Sequence, residues 1–102
     1  MERRLKLDKQ LRALVDSSNV YYQPPESIKM NYPAVVYHLN DAQITHADDK
    51  NYVRRKRYTV TYITRNPDDH FVDKMMDAFM YCSFDRWYAA DNLNHFVYDL
   101  YY

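Results

Sequence analysis

Glycine is absent from this chain of 102 residues, and its absence removes several functions at once. Phosphate-cradling loops need positive φ and a backbone that comes close to its ligand, both of which glycine supplies. P-loop and dinucleotide-binding motifs are therefore excluded, and no cofactor is expected. Turns fall instead to Asn, Asp and Pro, which gather at Asp16 to Asn19, Gln23 to Pro25, Asn40 to Asp41, Asp48 to Asn51, Asn66 to Asp69 and Asp91 to Asn94. Cysteine is nearly absent: a single Cys82 forms no intrachain disulfide and cannot supply a multi-thiolate zinc site. Net charge is also missing, with 14 basic residues against 14 acidic ones. No global field draws the chain to nucleic acid or to a membrane, and a neutral domain tends to associate. No apolar run approaches the ~20 residues of a membrane span, and the opening M-E-R-R-L-K-L-D-K-Q lacks the apolar core of a signal peptide. The expectation is a protein neither secreted nor membrane-embedded.

What the chain has in quantity is aromatic surface, 17% of its residues and twelve of them tyrosine. Large amphipathic rings serve both a small core and subunit contacts. A chain of this length predicts one domain, residues 1–102, which buries only about 60–65% of its unfolded surface and gains from a partner.

Leu7, Leu11, Leu14 and Val15 form a helical stripe that predicts a helix over residues 2–16, with Arg3, Arg4, Lys6, Lys9 and Arg12 on the wet side. Val20 to Tyr22 reads as a short extended piece cut off by Pro24 and Pro25. The next strand runs from Tyr32 or Pro33 to Leu39, followed by a polar, broken stretch over Asn40 to Asn51 that is expected to be a mobile connection. Tyr52 to Thr64 is rich in β-branched and aromatic residues and predicts the longest strand. Tyr58, Val60 and Tyr62 share an apolar face, and Thr59, Thr61 and Ile63 a mixed one, so the sheet is expected to be covered on one side. Asn66-Pro67-Asp68-Asp69 has the chemistry of a helix start, and Val72, Met75, Met76 and Phe79 continue it as a second amphipathic helix. Two strands, Ser83 to Ala89 and His95 to Tyr101, complete an α-β-β-β-α-β-β order with Asp91 to Asn94 between them. The predicted class is α+β: a mostly antiparallel sheet of about four to five strands with two helices packed on it.

Few constellations carry chemistry. Arg54 to Arg57 beside Tyr52 and Tyr58 has three readings: a phosphate-binding stripe, a charged edge that discourages strand pairing, or a partner for acids such as Asp48 and Asp49 on a neighbouring copy. His38, His46, His70 and His95 lack the spacing that places two imidazoles on one metal, so no metal site is expected. Cys82, His95 and Asp85 form a nucleophilic set only on paper, and no catalytic group is predicted. The residues expected at subunit contacts are Asp48, Asp49, Lys50, Tyr52, Arg55, Arg57, Asp91, Asn92 and His95.

Five segments taken in order resemble the tail terminator, or tail completion, proteins of long-tailed bacteriophages. They are Tyr21-Tyr22-Gln23-Pro24-Pro25 with Tyr32-Pro33, Ala47 to Tyr52, Arg57 to Thr61, Asn66-Pro67-Asp68-Asp69, and the run from Cys82 to His95. None is a catalytic motif, and Asn66 stands where the family's helix start usually has Asp. The resemblance implies an α+β virion protein that is not an enzyme, made in the bacterial cytoplasm. It would form a ring, expected to be hexameric, that caps the tail tube, stops its polymerisation and offers a docking surface to the head. The implied partners are further copies of the chain, the tail tube protein and the head-completion or connector protein, with DNA passing through non-specifically and no membrane. The alternatives are a stopper protein one layer up in the same neck, or a small nucleic-acid-binding module.

Overall fold

The computed structural model describes residues 2–15, 19–24, 29–46, 52–66, 68 and 70–102, with the backbone alone described for 2–3, 41–46 and 52–55. The elements follow in the expected order: α1 (Glu2–Val15), β1 (Val20–Tyr22), β2 (Ala34–His46), β3 (Tyr52–Thr64), α2 (Phe71–Ala78), β4 (Cys82–Ala90) and β5 (Leu93–Tyr101). They build an α+β fold in which one five-stranded sheet has the order β1-β2-β3-β5-β4. Only the β1–β2 pair is parallel, and the other three neighbours are antiparallel.

The helices form because each has an apolar stripe to bury on the sheet. Leu7 and Leu11 of α1 are fully buried, with Leu14 and Val15 packed beside them. In α2 the buried pair is Phe71 and Met75, joined by Phe79 just beyond the helix. Met76, expected in this stripe, is 41% exposed, because the stripe is set by Phe71 stacking on Tyr62 with centroids 4.0 Å apart. The sheet meets the helices with Val35, Tyr37, Tyr58, Val60, Tyr62, Phe96, Tyr98 and Leu100. The expected apolar face of β3 is therefore the helix-facing one. On the opposite face, Ala34, Ile63 and Val97 are also buried, flanked by cross-strand neighbours on the central strands.

Three expectations are corrected. The stretch from Asn40 to His46 is strand, not connection, since β2 continues to pair with β3 from Asp41↔Arg57 to His46↔Tyr52. A register shift between Leu39 and Asp41 absorbs Asn40. Backbone pairing with a neighbouring strand needs no apolar alternation, so its polar sequence was a poor guide. β2 and β3 are consequently equal in length at 13 residues, and β3 is not the longest strand. The second helix starts at Phe71 with His70 at its N-cap and no side-chain cap. Asn66 instead accepts a hydrogen bond from the Asp68 N–H at 3.0 Å, closing a local turn before the helix. Finally, β5 begins at Leu93, which leaves a two-residue connection. Asp91 and Asn92 sit at φ 54° and 63°, the left-handed region that Asp and Asn tolerate best in a chain without glycine.

Candidate functional site

The uncovered surfaces lie at the sheet's two irregular regions. At one end, β5 stops at Tyr101 opposite Arg57 and the Tyr102 N–H makes a last bond to the Lys56 carbonyl at 3.0 Å, so among the described residues the β2–β3 ladder from Tyr52 to Arg55 continues as a two-stranded ribbon. The molecule extends 50 Å along its long axis against 26 and 22 Å across. Two-stranded ribbons are marginal in water by themselves.

The second surface is β4. It is the sheet's outer strand next to β5, and every residue from Ser83 to Ala90 is exposed. Its register to β5 places Cys82, Phe84, Trp87 and Ala89 on the helix-bearing face and Ser83, Arg86 and Tyr88 on the other. The odd spacing of Phe84 and Trp87 would set them on opposite faces of a regular strand. A bulge between Phe84 and Arg86 brings them to the same face. Phe84 packs edge-on against Tyr98 at 5.6 Å, and the Trp87 indole N–H donates to Asn94 Oδ1 at 3.2 Å. Asn94 in turn donates to the carbonyls of Thr64 and Arg65 at 3.4 and 3.3 Å. Trp87 is thus held in place although 52% exposed. Beyond the lower end of β4, Met80 and Tyr81 line a groove of about 460 Å³ whose other wall includes Lys6 and Gln10 of α1.

The expected contact residues divide between these regions. Asp91, Asn92 and His95 come together at the β4–β5 turn, where Asp91 and Asn92 make the reversal itself. His95 stacks on Tyr88 with centroids 4.5 Å apart, and its Nδ1 lies 3.3 Å from the Leu93 carbonyl. Arg57 lies at the other end of β5, opposite Tyr101, and is half-buried. Tyr52 and Arg55 belong to the ribbon, opposite His46 and Gln43. Asp48, Asp49 and Lys50 lie outside the described residues. The paper triad does not converge: Cys82 is opposite Leu100 on the helix-bearing face, and His95 is opposite Tyr88 on the other. Burial, with Asp99 adding to it, pushes the Cys82 thiol up to about 11, which keeps it protonated and a poor nucleophile.

Sequence reasoning missed a polar cluster under α1. Arg4 and Arg12 were assigned to the wet side, where Arg12 is indeed exposed, but Arg12 pairs with Asp8 one helical turn away and Arg4 bonds the tyrosine that donates to the same carboxylate. Asp8 accepts from the Tyr37 hydroxyl at 2.6 Å and from Arg12 Nε, while Arg4 donates to the Tyr37 oxygen at 3.3 Å and lies 4.5 Å above the Tyr22 ring. Burial acts to raise the Asp8 carboxyl, but the hydrogen bonds from Arg12 and Tyr37 outweigh it and hold it below its ordinary range. Burial and the Asp8 bond push the Tyr37 hydroxyl well up. The legible signal was R-x-x-x-D-x-x-x-R at Arg4, Asp8 and Arg12. The cluster docks the helix and leaves no open cleft for a substrate at Tyr37, which is fully buried.

No family model matches the chain, and no curated protein or solved structure matches it.

Proposed function

We propose that this chain is a structural virion protein of a tailed bacteriophage, a tail terminator that closes into a ring on the tail tube, ends its growth and presents the head-docking surface. The observation that carries the reading is the β2–β3 ribbon, which runs past the end of β5 and lacks a third strand among the described residues. Such a ribbon gains stability by lying on a neighbour. A ring is built from a heterologous contact in which one subunit's projection meets a different surface of the next. The five resembling segments and the two helices on an antiparallel sheet favour the terminator over the stopper alternative, which is expected to have the weaker helical content.

The test uses tails assembled with and without this chain. Tails made without it are expected to vary in length and to fail to join heads. Tails of normal length that join heads normally would sink the reading. The nucleic-acid alternative is checked separately: a pure sample that retains nucleic acid and loses it steeply with salt would favour that reading instead.

A further inference from the structure

We propose that β4 is a self-complementary edge, along which two copies of this chain pair antiparallel about a twofold axis passing between Asp85 and Arg86. The inference goes beyond the ring reading and does not rest on it. An isologous contact closes on itself, so the β4 pair is a state of the free chain, made with a different surface from the ribbon.

The backbone supports this register. Tyr101 donates its N–H to the Tyr81 carbonyl at 2.9 Å, which makes Tyr81 and Tyr101 a hydrogen-bonded pair. Alternation along an antiparallel ladder then turns the N–H and C=O of Cys82 and Phe84 away from β5. At the other end, Ala90 and Leu93 close the two-residue turn as a bonded pair, so Trp87 and Ala89 also direct their backbone groups outward. The twofold brings Cys82 opposite Ala89 of the second copy and Phe84 opposite Trp87. Outward-pointing groups thus meet outward-pointing groups.

The side chains agree with the same axis. A twofold perpendicular to a continuous sheet keeps each side chain on its own face, so facing residues must already share one. In a regular strand an axis between two adjacent residues violates this, because the positions it pairs differ by an odd number. The β4 bulge removes the violation, since Phe84 and Trp87 share the helix-bearing face while Ser83 and Tyr88 share the other. The pairing sets Phe84 against an indole held by Asn94, and each Asp85 against an Arg86 of the other copy. Within one chain these two charges are exposed and 3.4 Å apart. Charges and bulges on an outer strand ordinarily repel pairing. Here an acid meets a base and a bulge meets an identical bulge, so a second copy is admitted where an unrelated strand would be out of step.

Eight residues a side is a small contact, in the class of transient interfaces. Sedimentation of the full chain is expected to show a monomer–dimer equilibrium in the micromolar range, roughly 10–100 µM. Arg86→Asp places acids against acids and should weaken the dimer about tenfold or more. The double variant Asp85→Arg with Arg86→Asp keeps the acid-to-base pairing and should restore it, with circular dichroism reporting the fold in each case. In an Ala89→Cys variant, oxidation should join Cys82 to the introduced thiol of the second copy, while the parent chain should not cross-link there. A monomer up to about 0.5 mM, a dimer indifferent to Arg86→Asp, or one that the double exchange does not rescue would overturn the proposal. A sixfold ring in free solution without a dimer would overturn it while leaving the terminator reading standing. Normal dimerisation beside normal tails made without the chain would do the reverse.

Discussion

Asp8 illustrates how one polar residue organises a helix. It joins Arg12 on its own helix to Tyr37 on β2, so the buried phenol and the half-buried carboxylate satisfy each other. Tyr37→Phe removes the donor and leaves the ring, and is expected to cost about 2 kcal/mol because the lost bond is to a charged group. Equilibrium urea unfolding measures it. Asp8 releases its proton more readily in the folded chain than at its ordinary 3.8, so the stability it contributes is present above that value and is lost as pH falls through the lower, folded one. Tyr37 is displaced the other way, and its contribution is complete below its ordinary 10.0 and lost as pH rises beyond it. Asp8→Asn should flatten the acid limb of a melting-temperature profile, and Tyr37→Phe part of the alkaline limb. An unchanged acid limb in Asp8→Asn would show that the carboxylate is not the group being titrated.

Among the elements, α2 and the β4–β5 hairpin depend on different physics. The helix has no side-chain cap and only eight residues, too few to stand alone, so its existence depends on Phe71 and Met75. Met75→Ala is expected to cost about 2–5 kcal/mol, and Phe71→Ala, which also removes the stack on Tyr62, about 3–5 kcal/mol. Capping substitutions at Asn66 should do far less than a true N-cap would predict, since that side chain closes a turn ahead of the helix. The hairpin depends on backbone geometry. Asn92 at φ 63° is at a position where glycine costs nothing, so Asn92→Gly is expected to raise stability by about 0.5–1 kcal/mol, and Asn92→Val to lower it by more. Calorimetry on the two variants checks the sign of each change.

For the whole molecule, the question is which surfaces the fold completes within one chain. The body closes around a single cluster that spans both helices and all five strands except the outer reach of β4. The ribbon and β4 remain. Replacing residues 44–54 by Asn-Gly, which joins the Gln43↔Arg55 pair through a two-residue turn, should leave the melting temperature of the body within a few degrees while abolishing the tail capping proposed above. A shortened chain that still caps tails would remove the ribbon from the proposed ring contact. Charge reversal at Arg55 is the milder form of this test. Arg57 is unsuited to it because its half-buried position couples any contact effect to folding.

The order of elements, the faces of β3 and the apolar stripe of α1 were legible in the sequence because periodicity survives any tertiary context. Leu7 and Leu11 lie under α1, and Tyr58, Val60 and Tyr62 lie under the helices, as their spacing required. Turn chemistry marked the reversal expected over Asp91 to Asn94, of which only Asp91 and Asn92 form the turn, but it also marked Asn40 to Asp41, which is strand. Other features were settled by partners distant in the chain. Asn40 to His46 became strand because β3 supplied the missing hydrogen bonds, a decision no local pattern contains. Arg4 turned toward the sheet because Tyr37, 33 residues later, presented a hydroxyl that it could reach, while Arg12 stayed exposed and paired with Asp8 along the helix. The face shared by Phe84 and Trp87 arose from a bulge, which the sequence does not announce, since an unpaired residue is defined only by the strand that fails to match it. Intrinsic periodicity specified which residues were apolar and in what rhythm. Long-range pairing decided which of them the chain could cover by itself.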